Sequence, residues 1–176
     1  MYNYFLSIIN RIKDFMTWDP YIRRSYSQEG EDLVLRKIFK KNQNGFYVDV
    51  GAHHPKRFSN TYLLYLKGWK GINIDATPGS MKIFNKMRPR DINIELGVSS
   101  SEGKLDYYLF NEPALNSFSK KLSDKRKENN PNFSKKIVKV DVKPLKEILN
   151  IYLKNYKIDF LNVDVEGMDL DVLQVL

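Results

Sequence analysis

The stretch Phe46-Tyr47-Val48-Asp49-Val50-Gly51-Ala52-His53-His54-Pro55 constrains this chain more than any other. It reads as a short apolar strand, an acid and a glycine turn, and a helical pattern opens near Ser59. Strand, acidic-glycine turn and helix are the first half of a nucleotide-type binding site in an α/β fold. The alternation then continues. The helix near Asn60–Leu66 has Ser59 as cap and Gly68 past its end. Gly71-Ile72-Asn73-Ile74-Asp75 is a second strand, and Met81–Met87 a helical piece opened by Gly79 and Ser80 and stopped by Pro89. Ile92-Asn93-Ile94-Glu95-Leu96 is a third strand. This β-α-β-α-β order with short connections predicts a parallel sheet with right-handed crossovers.

Upstream, Ser25-Tyr26-Ser27-Gln28-Glu29-Gly30-Glu31-Asp32 opens a helix, with Ser27 as a cap and acids at its positive end. Val34, Leu35, Ile38 and Phe39 are its expected buried face. Downstream, Leu105–Phe110 and Ile137–Val142 alternate like strands. Residues 111–136 are polar and weakly periodic, and read as a long loop with at most a short helix, a length that often marks a lid or binding segment. Pro144 starts a helix through about Tyr156. Ile158-Asp159-Phe160-Leu161-Asn162-Val163-Asp164-Val165-Glu166-Gly167 is an apolar strand ending in acids and glycine, and Leu170, Val172, Leu173 and Leu176 begin another helix. Trp69, between Gly68 and Gly71, is expected in the core.

Composition narrows the function classes. The 176 residues suffice for one domain with a real core. There is no cysteine, which excludes disulfides, thiolate metal sites and cysteine nucleophiles and fits a cytoplasmic location. The net charge of +8 comes from widely spread lysines, densest between Lys120 and Lys136, without zinc-finger spacing or an aromatic-basic RNA motif. The charge therefore reads as solvated lysines, and no nucleic-acid partner is expected. Residues 4–16 place Phe5, Ile8, Ile9, Ile12, Phe15 and Met16 on one helical stripe, too short and too charged to span a bilayer. Such a helix packs on the domain or lies at a membrane surface. The expected division is an amphipathic segment over 1–24 and one domain over 25–176.

The chemistry lies at the strand ends, because open parallel sheets bind ligands beyond their C-terminal edges. Those ends carry Asp49-Val50-Gly51-Ala52, Asp75-Ala76-Thr77-Pro78, Glu95-Leu96-Gly97-Val98 and Asp164-Val165-Glu166-Gly167. Carboxylates gathered at one edge repel unless a ligand or solvent compensates. A dinucleotide pyrophosphate would need three glycines at the first turn, and only Gly51 is there. A cofactor with a ribose, an amine and a positive centre fits better, and S-adenosylmethionine has all three. Asp75 stands where an acid holds a ribose diol. For proton transfer the available bases are His53, His54, Asp164 and Glu166. Asp164 and Glu166 share a strand face by period two, but no third ligand accompanies them and no metal is assigned.

On Ser27-Gln28-Glu29-Gly30-Glu31-Asp32, Asp49-Val50-Gly51-Ala52, Gly68-Trp69-Lys70-Gly71-Ile72-Asn73-Ile74-Asp75-Ala76-Thr77-Pro78 and Ile158–Gly167, the chain resembles the FkbM-type family of S-adenosylmethionine-dependent methyltransferases. The resemblance covers residues 25–176. It implies a class I methyltransferase, a Rossmann-like and mainly parallel sheet, that O-methylates a saccharide or another hydroxyl-bearing small molecule. By position it implies that Gln28, Asp49, Gly51, Ala52, Asp75, Ala76 and Asp164 hold the cofactor, with Asp49 and Gly51 at the methionine end, Asp75 on the ribose and Asp164 near the methyl group and acceptor. Tyr26, Gln28 and Asp32 would either close over it or cap and solvate a helix; Asn116 and Ser117, in the long loop, are the residues expected to touch the acceptor. Two departures stand out: Pro55 occupies the position of the usual third glycine, and Asp75 that of the usual glutamate. The implied strand order is 3-2-1-4-5-7-6, so the expectation is a domain cut after its fourth core strand, poorly soluble or oligomeric, and weakly active or inactive. The alternative function is a non-catalytic partial domain that binds or scaffolds.

Overall fold

A computed structural model describes residues 23–165 of the chain. The expected amphipathic helix over 4–16, Glu166 and the helix beginning near Leu170 lie outside the described residues. The order is α1 (Glu31–Ile38), β1 (Phe46–Val50), α2 (Tyr62–Leu66), β2 (Lys70–Asp75), α3 (Met81–Met87), β3 (Ile92–Glu95), β4 (Gly97–Val98) and β5 (Gly103–Phe110). A 3-10 turn (Pro113–Leu115), α4 (Lys120–Asn129), β6 (Lys135–Lys143), α5 (Leu145–Tyr152) and β7 (Phe160–Val163) follow.

The alternation read from the sequence becomes one parallel sheet in the order β3-β2-β1-β7. All four strands run the same way, so Asp49, Asp75, Glu95 and Asp164 gather at one edge. Period-two alternation divides the faces of β1. Phe46, Val48 and Val50 pack with Ile72, Ile74, Leu145 and Ile148, which places α5 on one face. Tyr47 packs with Leu64 and Trp69, which places α2 on the other. Trp69 is fully buried, as expected.

The second half departs from the sequence reading. After β3 the chain leaves the parallel sheet: β4 pairs with β6, and β5 and β6 form a long antiparallel hairpin. Its apolar face of Tyr107, Val140 and Val142 gathers Ala76 and Phe118 against it, so the hairpin stands beside the end of β2. Gly97 makes this junction possible, because a Cβ there would sit 2.6 Å from the Phe118 ring and 2.7 Å from Val142. The expected long loop over 111–136 contains the ten-residue helix α4. Periodicity misses this helix because its sequence, KKLSDKRKEN, has no apolar stripe; local bonds hold it instead. The Ser119 hydroxyl accepts from the Leu122 amide, and Arg126 donates to the Leu115 carbonyl. The α5 helix stops at Tyr152 and not Tyr156, since Lys154 turns into a positive φ of 50°.

The expected apolar face of α1 holds for Phe39 and in part for Leu35, and fails for Val34 and Ile38. Val34 and Ile38 are 58% and 65% exposed, and the buried residue of α1 is Asp32. Its carboxylate accepts from the Ser25 and Ser27 hydroxyls and the Tyr26 amide, at 2.7–3.0 Å. Phe39, just past the helix, packs on Trp69 and Phe160, so among the described residues the stripe is covered at its C-terminal end only, and the polar knot at Asp32 anchors the start of the helix.

Candidate functional site

Gly51 begins the site. It adopts a φ of +80°, and a Cβ there would lie 1.9 Å from the Asp164 carbonyl oxygen. Any side chain would force β1 and the segment after β7 apart, so the glycine is needed both for its backbone and for close approach. The Gly51 and Ala52 amides bond the Ile74 carbonyl, which pins the turn to β2. Beyond it His53 and Phe58 take positive φ values of 53° and 57°. Non-glycine residues held in this region cost about 1–3 kcal/mol each and persist where surrounding structure over-determines them. Here the Asp75 carboxylate accepts from the His53 amide at 2.9 Å, and from the Thr77 amide at 2.8 Å.

Arg88, the C-cap residue of α3, holds the rest of the turn. Its guanidinium is fully buried and donates to the Pro55 carbonyl, Ser59 Oγ, Thr61 Oγ1 and Asn73 Oδ1. Thr61 passes the bond on to Asp49 Oδ2 at 2.6 Å, and Asn162 donates to Asp49 Oδ1 at 2.9 Å. Strand register explains these meetings. Asn73 and Asn162 sit opposite Asp49 on its two flanking strands, and Asn93 sits opposite Asn73. A polar row, Asn93–Asn73–Asp49–Asn162, thus crosses the sheet on the α2 face. Asp91 completes the network, accepting from Tyr47, Asn73 and the Gly71 amide. Burial pushes the Asp49 and Asp91 carboxyls above the ordinary range, against bonds from Thr61 and Tyr47 and the nearby Arg88 charge. Burial likewise pushes the Tyr47 phenol up.

One cavity opens at the sheet edge. Gln28, Asp49, Gly51, Ala52, Asp75, Ala76 and Asp164, expected at the cofactor from the sequence, all line it. Leu96, Val98, Tyr107 and Phe118 form its apolar wall beside β2, and Asn162 and Phe58 line it near β1 and β7. Of the expected bases, His53 lines the cavity and stacks on Phe58 at 6.0 Å between ring centroids. Its Nε2 is buried and has no hydrogen-bond partner. Burial holds its pKa below the ordinary imidazole value, against the Asp75 charge. Asp164 is exposed and also lines the cavity, its amide bonded to the Val50 carbonyl.

The remaining expected residues fall elsewhere. His54 does not line the cavity; its Nδ1 accepts from the Lys56 and Arg57 amides at 3.0 and 2.9 Å and so caps the turn. Glu166 lies outside the described residues. Glu95 accepts from the Gly79 amide at 2.8 Å and is not in the lining. Asp32 ties residues 25–27 together, so the Gln28 segment reaches the cavity as a preformed piece. Asn116 lines the cavity while bonded to Phe110 N and Thr77 Oγ1, and Ser117 bridges to the Tyr108 backbone. Among the described residues no group of three or more carboxylates and histidines could hold a metal ion. None of their helices is long and apolar enough to cross a membrane.

Residues 49–175 match the family model of the methyltransferase FkbM domain. The chain belongs to the FkbM methyltransferase family. No curated protein and no solved structure matches it. The FkbM match takes in every lining strand end of the cavity, from Asp49 at β1 to Asp164 past β7, and leaves the Gln28 segment upstream of it. Sequence reading missed Asn162, which lines the cavity, and Thr61, Asn73 and Arg88, which belong to the network around Asp49. A signal for the asparagines was there. Asn73, Asn93 and Asn162 each stand two residues before a strand-end acid, the same offset at which Asp49 precedes Gly51.

Proposed function

We propose that this chain transfers a methyl group from S-adenosylmethionine to a hydroxyl of a saccharide or another hydroxylated small molecule. The observation that carries the reading is convergence: residues from four separate stretches of sequence line one acid-rimmed cavity whose turn lacks a pyrophosphate cradle. The donor set fits the cofactor. Asp75 holds two amides yet keeps acceptor capacity on both oxygens for a ribose diol. Leu96, Val98 and Phe118 offer an apolar wall for an adenine. Asp49, Gln28 and Asn162 offer polar partners for the amino-acid end. When bound, the cofactor supplies an already activated methyl group, so the protein's task is alignment and exclusion of water. His53, kept neutral by burial, would take the acceptor's proton at Nε2, and Asp164 would orient the hydroxyl.

Calorimetric titration with S-adenosylmethionine and S-adenosylhomocysteine tests the assignment. Both should bind, and Asp75→Ala should weaken binding by about tenfold or more, the loss of charge-assisted bonds of about 1.5–3 kcal/mol. No binding to the folded chain, or unchanged binding in the variant, sinks it. The turnover should fall as pH drops below the ordinary imidazole value of 6.5, with its midpoint shifted downward by the burial of His53. A profile unchanged in His53→Gln would rule His53 out as the base.

A further inference from the structure

The cavity does not account for a second concavity beside it. Tyr26, Ser27, His54, Lys56, Arg57 and Phe58 line an open cleft. Phe58 belongs to both linings, and Ser27 directly precedes Gln28 of the cavity, so the two spaces share a wall. Their linings differ in charge, although two carboxylates neighbour the cleft as well: Glu112, bonded to Arg57, and Asp32, buried and bonded to Ser25, Ser27 and the Tyr26 amide. Asp49, Asp75 and Asp164 line the cavity, whereas no carboxylate is among the lining residues of the cleft. Lys56 and Arg57 are exposed there. The Lys56 ammonium lies 5.5 Å from the Tyr26 ring centroid, and the Arg57 guanidinium 4.1 Å from that of Phe58. Arg57 also forks onto Glu112 at 2.9 and 3.1 Å, which fixes it in place beside the cavity wall residues Pro113 and Ala114. The two amides on His54 Nδ1 put the proton of the neutral ring on Nε2, making that atom a donor. Ser25 and Ser27 donate to the buried Asp32, and Ser27 Oγ also accepts from the Asp32 amide at 3.3 Å, so Ser25 Oγ keeps the larger acceptor capacity.

We infer that this cleft is the acceptor subsite and that it selects a sugar-like acceptor bearing an oxyanion, a phosphate or a carboxylate. Lys56 and the His54 Nε2–H take the anion, Arg57 stands beside them held by Glu112, Ser25 Oγ accepts from a ligand hydroxyl, and Tyr26 and Phe58 flank the ring. The acid-rimmed cavity would repel the same anion, so the charge contrast also fixes which end of the acceptor points towards the transfer site. This assignment rests on the methyl-transfer reading of the adjoining cavity.

The test titrates the full chain at low ionic strength with glucose 1-phosphate, glucuronate and glucose. The charged sugars should bind and glucose should not; binding of one charged sugar alone identifies which oxyanion the cleft takes. Lys56→Glu should weaken that binding by about tenfold or more, as expected for loss of a charge-assisted contact, and Lys56→Gln should fall between. Affinity for S-adenosylhomocysteine should be unchanged in both. Glucose binding as well as its charged relatives, or charged-sugar binding indifferent to Lys56, overturns the inference. Failure of S-adenosylhomocysteine to bind, with Lys56-dependent sugar binding intact, removes the cofactor reading and leaves the anion cleft standing. The converse pattern removes the cleft alone.

Discussion

Asp49 is a carboxylate in a place that penalises its charge: 2% exposed, between two asparagines, and reached by Arg88 only through Thr61. Its pKa is raised by burial, so the folded state holds its proton more tightly than the unfolded chain does. Between the unfolded value of 3.8 and the raised folded value, stability therefore falls as pH rises. Asp91 adds to the same trend. His53 and His54, lowered by burial, act oppositely, and their contribution weakens the fold as pH drops below 6.5. Thermal unfolding across acid to neutral pH should show Asp49→Asn flattening the carboxylate-driven decline while weakening S-adenosylhomocysteine binding. A variant with the wild-type pH slope would place the titration elsewhere. That the histidine pair divides into a cavity-lining ring and a turn cap was not legible from sequence. Both stand at the same strand end, and only the backbone reversal at His53 separates them.

At the level of elements, a single residue at the end of α3 fastens the first turn. Arg88 joins Pro55, Ser59 and Thr61 on the connection between β1 and α2 to Asn73 of β2. Removing one partner from a buried charge network costs about 3–5 kcal/mol, because the groups left behind stay desolvated. Arg88→Met should lose about that much in urea unfolding, with Arg88→Lys in between; a loss under about 1 kcal/mol would mean that the turn holds itself. The sequence made the elements around this network readable, since strand alternation, glycine turns and Pro89 are local signals. Arg88 itself was not readable, because an arginine before a proline carries no mark of burial. The α4 helix was missed for a related reason, being stabilised by capping and side-chain bonds and not by an apolar stripe.

For the whole molecule, the parallel sheet has β7 at one border, and among the described residues β7 pairs only with β1. Unpaired edges of apolar strands recruit other chains. The chain should self-associate with rising concentration in sedimentation velocity. Its net charge of +8 opposes association, so added salt should promote it by screening. A monomer at all concentrations and salts would contradict this. The other border of the parallel sheet is β3, and the separate sheet β4-β6-β5, with Phe118 packed on it, brings Tyr107 and Phe118 to the cavity, residues far from Asp49 in the chain.

What the sequence determined by itself is the series of strands, their common direction and the acids at their ends. Period-two runs, turn glycines and helix stops are written within a few residues of one another. Asp49, Gly51, Ala52, Asp75, Ala76 and Asp164 could be named because strand termini in a parallel sheet must share an edge, and Gln28 because its segment resembles that of the family. Only the tertiary structure decided what surrounds them: the asparagine row, the Arg88 clamp, the buried Nε2 of His53 and the cleft of Tyr26, Lys56 and Arg57 behind Phe58. Those depend on inter-strand register and on a backbone turned to positive φ, which set distances between residues that no local pattern links.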